Sequence, residues 1–150
     1  MFFSSRAPTW KRTFLETFLN ALMTSPSGAL LTTPKLHLWT GSISWNPETP
    51  LSTFTSAEAT FTGYTASAIA ALTGPVASLV GTRAMLVTKE FALGSSPTVT
   101  QEVAGYWVDA GATPDWVLAE TFPSPVGFFS EGDFLTLSVL LGLTLVNQVG

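Results

Sequence analysis

His37 is the only histidine of the chain and cysteine is absent, so any reaction chemistry must rest on one imidazole, carboxylates and hydroxyls. A hydrolytic triad would need an activated serine beside His37. No G-x-S-x-G elbow occurs, and Ser95-Ser96 falls in a Gly-Ser-Ser-Pro turn. A transition-metal site would need partner ligands, and without cysteine only scattered carboxylates remain. Flanked by Lys35 and Trp39 in an alternating segment, His37 reads as a half-exposed structural residue of a strand. Glu131 and Asp133 bracket Gly132 in "SEGD". Glycoside chemistry would need two carboxyls roughly 5–9.5 Å apart across a cleft, whereas this spacing reads as a turn entering the last strand. Gly74, Gly81, Gly94, Gly105 and Gly111 form neither G-x-G-x-x-G nor a P-loop, and no calcium-loop pattern is present. The expectation is a chain that is not an enzyme and has no catalytic, cofactor-binding or metal-ligating residue.

The aromatic residues raise the other possibility. Trp10, Trp39, Trp45, Trp107 and Trp116 could line a carbohydrate platform, but tryptophans isolated in strands more often serve a core or an interface. "VAGYWVDAGATPDWVLAETF" (103–122) has the form strand, loop, strand, and predicts a β-hairpin that buries Tyr106, Trp107, Trp116 and Phe122. Asp109 and Asp115 flank its loop, where carboxylates can accept backbone N–H bonds while solvated. Both faces of both strands carry apolar groups, and a second apolar face would suit an inter-subunit contact.

These residues must be positioned by a chain of 150 residues, the length of one domain, which at this size buries about 68–70% of its unfolded surface. Six basic against ten acidic residues give a net charge of −4. Such a balance argues against nucleic acid, whose binders need a basic stripe. Only 11% of residues are charged, against roughly 25% in an average soluble domain. Ser, Thr, Ala and Gly stand where Lys and Glu usually keep a free monomer unassociated. Two readings follow: much of the surface is covered by neighbouring copies or partners, or the protein is an extracellular β domain with a Ser/Thr surface. The opening residues have no signal-peptide core, and "FLTLSVLLGLTLV" (134–146) alternates and is shorter than the ~18 residues of a membrane span.

Trp10, Phe14, Phe18 and Leu22 recur every four residues, with Leu15, Leu19 and Met23 beside them, and predict an amphipathic helix over about 9–23. The "TSPSG" at 24–28 ends it. Residues 1–33 therefore read as a helix and linker, either docked on its own domain or reaching a neighbour as an assembly arm. From Pro34 the period changes to two. "KLHLW" (35–39) sets Leu36 and Leu38 against His37 and Trp39. Further strands are expected at 58–64, 84–93, 98–108, 115–122 and 133–145, and 66–72 fits strand or helix. Residues 34–150 thus predict a mainly β domain, an antiparallel β-sandwich or barrel carrying one N-terminal helix.

"KLHLWTGSISWNPETPLSTFTSAEATFTGY", followed by "FALGSSPTVTQEVAGYWVDAGATPDWVLAETFPSPVGFFSEGDFLTLSVLLGLTL", resembles a group of small, uncharacterised β-rich proteins of tailed phages and viral metagenomes. Over about 34–145 the order matches: a strand leading to an "eatf.GY" element, a Gly-Tyr-aromatic strand, an "Ll.aE.F" strand, then Gly-Asp and an alternating apolar strand. Residues 1–33 depart from the pattern. The resemblance implies a non-enzymatic virion structural protein, a capsid decoration or minor capsid component. Its expected partners are other copies of itself, a trimer suiting an icosahedral surface, and the major capsid or another virion protein. The alternative is a spike, fibre or tail module that grips a receptor or glycan through exposed aromatics. The expected assembly residues are Trp10, Phe14, Phe18 and Leu22 on the helix, with Trp39, Trp45 and Trp107 on the strands.

Overall fold

A computed structural model of the chain describes residues 2–4, 9–13, 29–31, 33–69, 72–73, 81–111 and 113–145. In chain order the elements are β1 (Phe2–Ser4), β2 (Thr9–Trp10), β3 (Ala29–Leu31), β4 (Lys35–Thr40), α1 (Leu51–Ser56), β5 (Ser67–Ala68), β6 (Leu72–Thr73), β7 (Gly81–Ala92), β8 (Gln101–Ala110), β9 (Thr113–Phe128) and β10 (Phe134–Leu145). Among the described residues the protein is mainly β, built from antiparallel sheets that do not close on themselves, with the short helix α1 between β4 and β5. A three-stranded sheet has the order β1-β10-β7, a five-stranded sheet β2-β9-β8-β4-β5, and β3 pairs β6. Among the described pairings only β1 on β10 is parallel.

Period-two patterning decides which side chains go inside. Leu135, Leu137 and Val139 of β10 and Val87 and Phe91 of β7 form one cluster with Leu36, Leu38, Tyr106, Val108, Val117, Leu118 and Phe128 of the five-stranded sheet. The opposite face of that sheet is also covered. Trp39, Trp107 and Trp116 pack there with Phe54 of α1, and Trp45, Leu51 and Ile43 close the rim. The second apolar face of the 103–122 hairpin is thus filled by the chain's own 43–57 segment.

α1 is a helix by virtue of this burial. Its sequence, LSTFTS, is rich in residues that compete for backbone hydrogen bonds, and six residues cannot sustain a helix alone. Pro50 starts it, Phe54 is fully buried, and Ala57 and Glu58 end it with N–H bonds to the Phe54 and Thr55 carbonyls. Gly105 makes the aromatic face possible. A Cβ there would lie 2.2 Å from a Trp39 ring carbon and 2.5 Å from the Glu120 carbonyl oxygen. β9 accommodates Pro123 and Pro125 in a bulge, since Val103 pairs Val126 and Gly105 pairs Thr121 while Phe122–Pro125 face Ala104. Prolines without N–H groups are tolerated where no ladder bond is made.

Three expectations change. Thr9 and Trp10 are strand, not helix, paired to Ala119 and Leu118; helical backbone starts only at Arg12–Thr13, and 14–23 lie outside the described residues. The pairing is pinned by the Lys11 N–H on the Val117 carbonyl at 2.7 Å and by a salt bridge from Lys11 to Asp115. Residues 58–64 are not a strand: after one bridge between Glu58 and Trp39 the chain bends, and Gly63 takes a φ of +88°. The ambiguous 66–72 stretch contributes β5 at 67–68, and β6 begins at Leu72.

Candidate functional site

The densest grouping of ionisable side chains surrounds His37. β4 and β8 pair with His37 opposite Trp107, and the two rings stack at 3.8 Å with 9° between planes. Two residues along β8, Asp109 reaches the same imidazole. Glu58 arrives from the segment that runs along the outer edge of β4. Nδ1 lies 2.7 Å from Glu58 Oε1 and Nε2 lies 3.1 Å from Asp109 Oδ2. The ring is only 9% exposed, which corrects the half-exposed reading: an indole covers one face, and a carboxylate closes each nitrogen.

Each partner is held in turn. Asp109 Oδ1 accepts the Lys35 and Gly111 N–H groups. The Tyr64 hydroxyl donates to Glu58 Oε1 at 3.1 Å and accepts the Leu38 N–H at 3.0 Å. The electrostatics follow. Burial works to lower the His37 pKa, but the hydrogen bonds and charges of Asp109 and Glu58 outweigh it and raise the value above 6.5. The His37 bond holds the Glu58 carboxyl below its ordinary range. Burial works to raise Asp109, yet its bonds from His37, Lys35 and Gly111 bring it below its ordinary value. Burial, then the Glu58 charge, pushes the Tyr64 phenol up. The arrangement stabilises an imidazolium between two carboxylates. While the ring is doubly protonated it presents no lone pair, and the described residues contain no metal-competent group of three or more ligands.

Trp39 and Trp107 are 1% and 2% exposed, so their indoles are used inside the subunit rather than at an assembly surface. The Trp107 Nε1 is buried with no partner among the described residues. Trp45 is half-buried, donates from Nε1 to Thr121 Oγ1 at 3.0 Å and meets Trp39, Phe54 and Trp116 edge-on or tilted. Trp10 is half-buried against the main core. Phe14, Phe18 and Leu22 lie outside the described residues.

Glu131 and Asp133 form no acid–base pair across a cleft. Asp133 Oδ2 accepts the Phe129 and Ser130 N–H groups at 2.7 and 2.8 Å, bonds that lower its pKa, and Gly132 completes the turn with a φ of +92°. This is the expected turn into the last strand. Beside it a groove of about 320 Å³ runs between Pro125-Val126-Gly127 and Gly132-Asp133-Phe134. Among the described residues the exposed large hydrophobics are Phe129 at 55%, Phe134 at 49% and Val99 at 41%. All three belong to one end of the sheets. There the 93–100 and 129–133 connections are joined by the Leu93 N–H on the Asp133 carbonyl at 2.9 Å, and Thr62 holds Val99.

Neither Glu58 nor Asp109 was identifiable beside His37 from sequence spacing, since they lie 21 and 72 positions away. The alternation that paired His37 with Trp39 on one face was the available signal. No family model, curated protein or solved structure matches the chain.

Proposed function

We propose that this chain is a non-enzymatic virion structural protein, a capsid decoration or minor capsid component that works as an oligomer on the particle. The observation that carries the reading is the gathering of Phe129, Phe134 and Val99 at one end of a chain with 11% charged residues. Large apolar side chains collected on a sparsely charged surface mark an association site. The ordered motifs over 34–145 add the virion context. Its architecture we read as a β-sandwich, because the main cluster draws on both the three- and the five-stranded sheets. Trp10, Phe14, Phe18 and Leu22 remain our proposed contacts of the N-terminal segment, with Trp45 at the rim of the aromatic face.

Quantitative mass spectrometry of purified particles tests the reading. A copy number equal to that of the major shell protein, or a simple symmetric fraction of it, is expected. Absence from the particle would refute the virion role, and a few copies per particle would replace it with a spike, fibre or tail module binding a receptor or glycan.

A further inference from the structure

The outer edge of β4 is covered by a segment that is not a strand over most of its length. The Thr40 N–H binds the Ala57 carbonyl at 2.8 Å, the Ala59 N–H binds the Leu38 carbonyl at 2.9 Å, and the Leu38 N–H is met by the Tyr64 hydroxyl. Only at Lys35 and Leu36 does a true strand, β5, take over. An uncovered edge would present these backbone groups to another chain.

Ala59 and Phe61 anchor the segment in the main core, with Phe61 stacked on Phe128 at 4.2 Å, and the His37 cluster is what ties Glu58, between Ala57 and Ala59, to the sheet face. Facing the ring are Asp109 from β8 and Glu58 from the covering segment, with the Tyr64 phenol on Glu58; Lys35, on the same strand, binds Asp109 through its backbone N–H. α1, packed beside them, has no acidic residue in its first turn and no basic residue in its last. We propose that His37, Glu58 and Asp109 form a pH-sensitive latch that holds the backbone around Glu58 and the Tyr64 hydroxyl on the edge of β4 and loosens when the ring gives its second proton to solvent. Both nitrogen–carboxylate contacts are hydrogen bonds only while both nitrogens are protonated. After one proton leaves, a nitrogen lone pair faces a carboxylate, and one contact turns repulsive. Asp109 is fixed by two backbone N–H groups. Glu58 lies on irregular backbone and is the partner able to withdraw, which frees the Tyr64 hydroxyl from its acceptor and loosens the Ala57 and Ala59 bonds to β4 on either side.

The direction in pH follows from linkage. A raised histidine value gives stabilisation that is full below 6.5 and lost as pH rises through the folded-state value. The lowered carboxyls act oppositely: their contribution is full above 4.5 for Glu58 and 3.8 for Asp109 and fades as pH falls through their folded-state values. The latch is closed between those limits and opens on the alkaline side.

The single imidazole makes the test direct: nitrogen-detected NMR of the full chain, with amide hydrogen exchange corrected for intrinsic rate. The expected result is a ring with two N–H protons in mild acid, losing one at a midpoint above 6.5. Protection of the Leu38, Thr40 and Ala59 amides should fall across that midpoint, by at most about tenfold per pH unit for one proton, while the β7–β10 ladder holds. A midpoint at or below the ordinary value, or constant protection of the three amides, overturns the latch. Glu58→Gln should lower the midpoint, and an unchanged midpoint would count against it equally.

Discussion

Along β4 an imidazole, two carboxylates and a phenol are drawn inward and bonded to one another, whereas at the 129–134 end two phenylalanines stand about half exposed beside a groove. The residues that look reactive are consumed in holding the chain to itself. Those that look inert are left at the surface. A catalytic site reverses this allocation: it keeps a base with a free lone pair and lines a cleft with it. On the function proposed above, the apolar end serves association and the polar cluster serves the fold.

The comparison can be broken first from its buried side. Phe54→Ala removes the ring that joins Trp39, Trp45, Trp107 and Trp116 and should cost about 3–5 kcal/mol in denaturant unfolding. A cost under about 1 kcal/mol would mean that the 43–57 segment is not part of the cooperative core. Gly105→Ala forces a methyl group into the Trp39 ring and the Glu120 backbone. Because backbone cannot swing aside, roughly 1–3 kcal/mol or more of destabilisation is expected, with loss of near-UV tryptophan dichroism. His37→Gln should abolish the alkaline decline in stability predicted from the raised imidazole value and also shrink the acid limb, because His37 is the first cause of the lowered Glu58 value and only the Lys35 and Gly111 N–H bonds still lower Asp109; pH-dependent thermal melts read this. On the exposed side, Phe129→Ser with Phe134→Ser should change monomer stability by no more than about 0.5 kcal/mol while weakening self-association.

Much of the fold was legible because period-two patterning is local. The strands at 35–39, 84–93, 98–108, 115–122 and 133–145 lie within β4, β7, β8, β9 and β10 or overlap them closely. The misreadings arise where tertiary contact overrides pattern. Trp10 fits a four-residue repeat, yet its backbone completes the edge of β9. "TFTGY" alternates like a strand, but Gly63 turns the chain and Tyr64 supplies a hydroxyl where a strand would supply a carbonyl. α1 has no helical signature because Phe54 is its one fully buried residue, with Leu51 at the rim. The His37 cluster was invisible for a related reason: its members come from three separate parts of the chain, brought together by the register of β4 on β8 and by a bend. Burial of Trp107 was expected with the hairpin and is found, but α1, which covers both it and Trp39, was hidden.

The central claim is that the exposed aromatic end makes the contact between subunits. Sedimentation velocity on the intact chain and on the Phe129→Ser, Phe134→Ser variant tests it most directly, with matched thermal melts as the control for folding. A concentration-dependent oligomer is expected for the first and a folded monomer for the second. A wild-type chain that stays monomeric, or a variant that assembles equally well, would contradict it.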